Sequence, residues 1–276
     1  MRTRLLAAAL LCLLLSARAE AQFRVADPAS GENFHVELGL IFWQPTPEIL
    51  IQTGALSALG QTEVDFVQEF AIENKRFTEF RGVIKAGKKH KLRISHVLMQ
   101  YDASATLQRT ITFGGHTFPV SGPATADLQW DLWRFGLEWD FVARDRGVVG
   151  FVTELKVNKV SAALAAAGIG SELTEVTAPM PTIGILARAY PHKNFSVTAE
   201  FTGFKVPGYI IRKITDAVSD DVDAKTYDLD LYGTLNFGSH VGVQGGYRSL
   251  TAEYIIDEDA GDLKMQGMYF GGLVRF

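Results

Sequence analysis

The stretch Trp133-Arg134-Phe135-Gly136-Leu137-Glu138-Trp139-Asp140-Phe141 places a large apolar residue at every odd position and a charged residue or glycine at every even one. Successive side chains of a β-strand point to opposite faces, so this stretch predicts a strand with one apolar and one polar face. The same period of two returns in 149–157 and 227–237. We therefore expect an all-β protein built from such two-faced strands.

Composition by itself is that of an ordinary globular protein. The 276 residues are 47% hydrophobic and 21% charged, with a formal net charge of −4 and one cysteine. These values exclude a disordered chain, a disulfide framework and a cysteine-rich zinc site. The mildly acidic balance without basic clusters argues against nucleic acid as a partner.

The N-terminus predicts a secretory signal peptide over residues 1–21. A basic start, Met1-Arg2-Thr3-Arg4, precedes an uncharged run from Leu5 to Leu15, and Ala19-Glu20-Ala21 supplies a small-residue cleavage site. The apolar run of about 11 residues is too short to cross a bilayer, which needs ~20. We expect residues 22–276 to form the exported domain, and this domain contains no cysteine.

Ten strands are predicted in the exported domain, each long enough for a tilted bilayer crossing. They cover residues 35–43, 76–86, 91–101, 131–142, 147–158, 181–190, 194–204, 227–237, 241–250 and 267–276. Short turns at 87–90, 143–146, 191–193 and 238–240 alternate with long connections at 44–75, 102–130, 159–180, 205–226 and 251–266. This order predicts a transmembrane antiparallel up-and-down β-barrel with short periplasmic turns and long outer loops. Eight strands are the alternative, if the first or second predicted strand does not pair.

The chain ends Met268-Tyr269-Phe270-Gly271-Gly272-Leu273-Val274-Arg275-Phe276, with Phe270, Val274 and Phe276 on one face. This strand resembles the C-terminal strand of bacterial outer-membrane β-barrel proteins, in the porin-like group of small barrels of the outer-membrane-protein-A type. The resemblance covers the architecture of nearly the whole exported domain and reaches no specific family. It implies the bacterial outer membrane as location, the lipid bilayer and lipopolysaccharide as partners, and recognition of the last strand by the barrel assembly machinery.

Aromatic residues cluster near the ends of the predicted strands. Those near periplasmic ends are Trp139, Phe141, Tyr190, Phe195, Phe237 and Phe276, and those nearer outer ends are Phe42, Trp43, Trp130, Phe201, Phe204 and Tyr247. We expect them to form two girdles that face the two membrane–water interfaces.

The polar strand faces define a candidate site in the barrel interior. Eight acids and eight bases fall on these faces: Glu37, Glu79, Glu138, Asp140, Glu154, Glu200, Asp228, Asp230, Arg81, Lys85, Arg93, Arg134, Lys156, Arg188, Arg248 and Arg275. Ten strands enclose a narrow interior that side chains can fill, and buried charges persist when they are paired. We expect a charged interior that an ion-pair network closes, and a role in structure, in surface interaction or in limited passage of small solutes. A narrow pore for small polar solutes is the alternative.

Residues with catalytic or metal-binding chemistry give weaker signals. His96 and Asp102, six residues apart on one predicted strand, are the only candidate pair for a hydrolase, and Ser95 points to the opposite face. Two acidic clusters offer oxygen ligands without the spacing of a calcium loop: Asp216, Asp220, Asp221 and Asp223, and Asp257, Glu258, Asp259 and Asp262. We predict no enzyme, no cofactor and no metal site. A soluble periplasmic barrel that carries a lipid is a further alternative, and it requires apolar residues inside and polar residues outside.

Overall fold

A computed structural model describes residues 23–24, 27–52, 63–113, 116–206, 223–256 and 259–276. Ten long strands dominate it: β1 (Val36–Gln52), β2 (Phe77–Lys85), β3 (His90–Thr106), β4 (Pro123–Arg144), β5 (Gly147–Ala166), β6 (Gly170–His192), β7 (Phe195–Val206), β8 (Asp223–Phe237), β9 (Val241–Ile256) and β10 (Asp259–Arg275). Consecutive strands pair antiparallel, and β10 pairs with β1. The predicted ten-stranded up-and-down barrel is confirmed, whereas the predicted signal peptide lies outside the described residues.

The two ends of the barrel differ. One end carries the four short turns at 86–89, 145–146, 193–194 and 238–240. Phe276 lies at the same end, where its carbonyl oxygen accepts a hydrogen bond from the His35 N–H (2.6 Å) just before β1 begins. We call this the periplasmic end and the opposite one the outer end. None of the helices in the described parts of the chain is long and apolar enough to cross a bilayer.

The strands continue much further toward the outer end than predicted. β4 has 22 residues and β6 has 23. The predicted connection 159–180 is strand except for a turn at 167–169, so the Ala-rich stretch before this turn extends β5. Strand also replaces parts of the predicted connections 44–75, 102–130 and 251–266. The loops are therefore shorter than the sequence indicates, and the barrel is longer.

These strand extensions escape sequence analysis because the apolar face changes sides along a strand. In β4, Phe135 and Leu137 point outward and are exposed, whereas Leu128 and Leu132 point inward and are fully buried. Apolar residues thus move from odd to even positions near Trp133. The interruption of the pattern looks like a strand end, although the backbone continues as strand.

The barrel accordingly has two regions. In the membrane region, toward the periplasmic end, exposed apolar side chains cover the outside, among them Leu40, Phe80, Phe135, Phe151, Ile185, Leu231, Val243 and Phe270. In the outer extension, outward residues such as Gln100, Lys159 and Glu175 are polar, and the inside holds Ile51, Met99, Leu128, Leu164, Leu250 and Met265. The expectation of a charged interior is therefore wrong for the outer extension, because strands surrounded by water bury their apolar face inward.

The predicted aromatic girdles also need correction. Trp139, Phe195, Phe237, Phe276, Phe201 and Tyr247 face outward and are exposed. Trp43, Trp130 and Tyr190, by contrast, point into the barrel and are buried. Trp43 directly follows Phe42, and adjacent strand residues occupy opposite faces, so the two cannot both face lipid.

A Pro-x-Pro sequence marks two places in the wall of the outer extension. β1 pairs with β2 only from Val36 to Trp43, and Pro45 and Pro47 follow. β6 pairs with β7 only from Ile183 onward, and Pro179 and Pro181 precede it. Proline has no N–H to donate and is confined to strand edges. Both pairs thus lie where a strand leaves one of its neighbours.

Candidate functional site

A cluster of seven charged side chains fills the centre of the membrane region. Asp228 accepts hydrogen bonds from Arg248 Nε (2.9 Å) and Nη2 (2.6 Å), from Arg134 Nη1 (3.2 Å) and from Lys156 Nζ (3.3 Å). Glu79 accepts from Arg81 Nη2 (3.0 Å), from Arg248 Nη1 (3.3 Å) and from Arg134. Arg81 Nη1 also bonds Asp230 (3.2 Å). Two-pronged guanidinium–carboxylate contacts of this kind are among the strongest polar interactions in a protein interior.

A second cluster lies closer to the periplasmic end. Lys91 Nζ contacts Glu138 (2.8 Å) and Asp140 (3.0 Å). Arg93 Nη2 pairs with Glu200 (2.9 Å). These partners come from β3, β4 and β7, so the ion pairs cross the interior as well as linking adjacent strands.

The segment 27–35 crosses the periplasmic mouth and joins this second cluster. It contains a short 3₁₀ turn, Ser30–Glu32. Glu32 accepts from Arg188 Nη1 (2.6 Å) and from the Tyr190 hydroxyl (2.9 Å), and its other carboxylate oxygen lies 3.5 Å from Lys91 Nζ. Gly31 packs so closely that a Cβ atom there would lie 2.8 Å from the Tyr190 hydroxyl oxygen. The N-terminal segment is thus fitted to the mouth by contacts on several strands.

The ionisation of Glu32 depends on these contacts. Burial by itself raises the pKa of this carboxyl, but Lys91 and Arg188 stabilise the charged form. The balance lowers the pKa of Glu32 from 4.5 to about 2. Glu32 is therefore an anion at neutral pH and neutralises cations on the barrel wall.

Two buried tryptophans separate the charged clusters from the apolar core of the outer extension. The Trp43 ring lies over the Arg248 guanidinium, with 5.1 Å between the ring centroid and Cζ. Trp130 Nε1 donates to Asn158 Oδ1 (3.0 Å). Each indole offers an apolar body to the core and a polar contact to the layer below it.

The outer end carries a small folded cap over the apolar core. It consists of α1 (Phe66–Phe70) and the hairpin of Ile111–Phe113 with His116–Phe118. The Phe66 and Phe113 rings meet edge to face with centroids 6.0 Å apart, and Arg109 Nε donates to Glu69 (2.5 Å). Ring packing and an ion pair thus join α1 to the segment that carries the hairpin.

All sixteen predicted interior residues have side chains inside the barrel. Besides the two clusters, Glu37 pairs with Arg275, Lys156 lies 3.8 Å from Glu154, and Lys85 Nζ donates to the Glu32 carbonyl oxygen (2.7 Å). Sequence analysis missed two members. Lys91 lies two residues before Arg93, so the period of two would have found it. Glu32 lies outside any strand, and no periodic signal indicates it.

Little space remains between these side chains. The described residues of the membrane region line a cavity of about 80 Å³, with Arg81, Arg93, Arg134, Glu138 and Glu200 among the lining side chains. This volume is sufficient for a few water molecules.

The structure does not bring His96 and Asp102 together. His96 faces outward, where its Nε2 lies 2.9 Å from Asp131 Oδ1 and its ring stacks on Trp133 with centroids 4.2 Å apart. Asp102 lies opposite Asp127. Six residues of a strand span ~20 Å, so a carboxylate on the adjacent strand is the nearer partner.

The predicted acidic clusters are only partly described. Asp216, Asp220, Asp221, Asp257 and Glu258 lie outside the described residues. Asp223 pairs with Lys205 (2.7 Å), and Asp262 lies opposite Glu253. Among the residues with described positions, no group of three His, Cys, Asp or Glu side chains is arranged to hold a metal ion.

The segment that we expect the barrel assembly machinery to recognise lies at the end of β10. Phe270, Val274 and Phe276 all face outward and are exposed. Phe270 packs against Phe42 on β1 with ring centroids 5.5 Å apart, directly at the closure of the barrel.

Comparison with known proteins agrees with this architecture. No protein-family model and no curated protein matches the sequence. Among solved structures, the outer membrane protease OmpT from Escherichia coli is 8% identical, with 87% of this chain and 96% of that chain covered and a TM-score of 0.55. Ail, the attachment invasion locus protein of Yersinia pestis, is 9% identical, with 88% and 99% covered and a TM-score of 0.39. At this identity the likeness to OmpT shows a shared fold alone.

The closed wall, the exposed apolar outside of the membrane region and the shared fold define the protein class. The chain is a transmembrane β-barrel of the bacterial outer membrane. This confirms the predicted fold class and location, and it makes the lipid bilayer a partner of the exposed apolar surface. The soluble lipid-carrier alternative is wrong for the membrane region, because its outward residues are apolar.

Proposed function

We propose that this protein is a non-conducting, non-enzymatic anchor that holds a rigid, folded extension outside the outer membrane for contact with surface partners. The single observation that carries the proposal is the filled interior. Charged clusters occupy the membrane region, and an apolar core occupies the outer extension. A solute would have to cross both layers, which have opposite polarity.

The two barrel ends support the same proposal. Segment 27–35 lies across the periplasmic mouth, where Glu32 contacts Arg188, and the cap packs over the apolar core at the outer end. A transport route would require both to move. A packed interior of this kind is expected of a small barrel, whereas wide water channels occur at ~16 strands.

The outer extension supports the role in surface contact. It is built from the strands that cross the membrane, so it is held at a fixed orientation to the bilayer. Its outward face is polar, with exposed pairs such as Lys159–Glu175 (3.2 Å) and Lys264–Glu48 (2.9 Å). Lipopolysaccharide surrounds such a face, and we propose it as a partner there. We also propose that the barrel assembly machinery recognises β10 through Phe270, Val274 and Phe276.

Single-channel recording tests the proposal. Purified full-length protein, shown to be folded by heat-dependent gel mobility, is inserted into planar bilayers in 1 M salt. We expect no stable conductance steps, whereas a conducting porin added to the same bilayer gives them. Steady steps from this protein would replace the anchor by the narrow-pore alternative.

A further inference from the structure

A second cavity, beside the second charged cluster, opens at the periplasmic mouth. It has a volume of about 550 Å³ and lies between segment 27–35, the turn after β2 and the junction of β4 with β5. Phe34, Ala143 and Val148 are buried and form an apolar part of its wall. Lys85, Lys88 and Arg144 supply the cationic part.

These three cations have no carboxylate partner within 4.0 Å among the described residues. Lys88 and Arg144 are exposed at the rim. Lys85 Nζ uses one proton for the Glu32 carbonyl oxygen (2.7 Å) and lies 5.5 Å from the centroid of the Phe34 ring. By comparison, two further periplasmic cations, Arg146 and Lys193, both pair with Asp27.

Each of the two acids that line the cavity already has an ion-pair partner other than these three cations. Glu32 pairs with Arg188 (2.6 Å) and Lys91 (3.5 Å). Asp140 Oδ2 pairs with Lys91 Nζ (3.0 Å). The cavity therefore has an excess of positive charge on one side and an apolar wall on the other.

We propose that this cavity binds a phosphate group presented from the periplasmic side. Arg144 offers a planar fork of donors that fits a phosphate, and Lys85 and Lys88 supply mobile ammonium donors. The apolar wall beside them fits a ligand with a carbon skeleton attached to the phosphate. The group comes either from a phospholipid of the inner leaflet or from a phosphate dissolved in the periplasm.

Amide chemical shifts of the labelled full-length protein test this site in a glycoside detergent, which contains no phosphate. Sodium phosphate is titrated at constant ionic strength, and the amides of Gly87 and Phe34, which both line the cavity, are observed. We expect a saturable shift, with a dissociation constant that rises at least tenfold in the double variant Lys88→Ala/Arg144→Ala. The matched control is Arg146→Ala, which removes a cation two residues from Arg144 that does not line the cavity. We expect wild-type affinity for this control.

The same signals distinguish the two sources of phosphate. In phosphatidylglycerol nanodiscs, a lipid ligand holds both amides at their saturated positions before any phosphate is added. A soluble ligand leaves them free to shift on titration. The proposal is overturned if the wild-type protein shows no saturable shift in detergent and no displaced shifts in nanodiscs. Equal weakening in Arg146→Ala also overturns it, because diffuse surface charge would then explain binding.

Discussion

The indole ring of Trp43 covers the guanidinium of Arg248, and both side chains are fully buried. Below this contact the interior is ionic, and above it the interior is apolar. Arg248 bonds Asp228 and Glu79 with its three nitrogens, so Trp43 contacts a cation whose charge is already balanced. This pairing explains how an apolar core can lie directly on an ion-pair layer.

Removing Arg248 is expected to destabilise the barrel strongly. Arg248→Ala removes one of the two cations that Asp228 and Glu79 share, the other being Arg134, and breaking a buried pair in this way costs about 3–5 kcal/mol. The midpoint of urea unfolding in detergent, followed by gel mobility, measures the loss. Lys159→Ala, which breaks an exposed pair with Glu175, is the control and should leave the midpoint nearly unchanged. Equal midpoints for the two variants would contradict a structural role of the layer.

Shortening other members of the interior network should affect either stability or leakage. Arg134→Ala removes contacts to Glu79 and Asp228, and Glu138→Ala removes a contact to Lys91. Each variant should lower the unfolding midpoint or produce a measurable leak current in planar bilayers. Phe135→Leu, next to Arg134 and on the lipid side, is the control. The inward assignment fails if neither quantity changes in either variant.

The border between the membrane region and the outer extension can be located with one strand. Leu155 and Ser161 lie on the same outward face of β5, six residues apart. Leu155→Arg places a charge against lipid and should cost ~2–4 kcal/mol if it lies near the bilayer midplane. Ser161→Arg places the same charge in water and should be tolerated. Refolding yields into lipid vesicles compare the two, and similar yields would refute the proposed border.

Acidification should loosen the N-terminal segment. The pKa of Glu32 is about 2 in the folded protein and 4.5 ordinarily, so the contribution of Glu32 is complete above 4.5 and is lost as pH falls toward 2. Hydrogen exchange of the Ser30 amide, which donates to the Lys193 carbonyl oxygen (3.0 Å), reports the loosening. Exchange rates corrected for intrinsic pH dependence should rise between pH 5 and pH 3, by about tenfold or more.

Glu32→Gln separates this effect from the titration of other carboxyl groups. The variant should exchange rapidly already at pH 7 and show a weaker pH dependence at Ser30. The Val197 amide on β7 serves as a reference within the wall. An unchanged pH profile in Glu32→Gln would mean that another group controls the segment.

The sequence predicts the membrane region well because its pattern is simple. From Trp133 to Phe141 the strand meets lipid on one face and the interior on the other, so the period of two is uninterrupted. The period also assigns Arg134 and Glu138 to one face, and both side chains lie inside the barrel. It cannot say which acid meets which base, because pairs such as Arg81–Asp230 join strands far apart in sequence.

The outer extension is hidden from the same reasoning for a physical reason. Leu128 and Phe135 are both apolar, yet one faces inward and the other outward. The two residues differ only in whether lipid or water surrounds the barrel at their level. The local sequence period does not show which of the two it is. Leu128 and Phe135 are seven residues apart, so one occupies an even and the other an odd position. This change from odd to even apolar positions is the signal that would have revealed the continuing strand. Segment 27–35 has no comparable signal, because Glu32 acquires its partners only when the barrel closes.

Pro45 with Pro47 and Pro179 with Pro181 mark the level along the barrel axis at which two strand pairings end. This evidence comes from the backbone and does not depend on which way side chains point. Inside hydrocarbon each peptide group needs a hydrogen-bond partner within the barrel wall. A seam, meaning a place where two neighbouring strands no longer pair, is therefore tolerated only where water can reach the free peptide groups. Both seams start immediately beyond Trp43 and Ile183, on opposite sides of the barrel. The positions of the two seams therefore limit how deeply the barrel can insert into the bilayer. Deeper insertion would expose unpaired backbone groups to lipid.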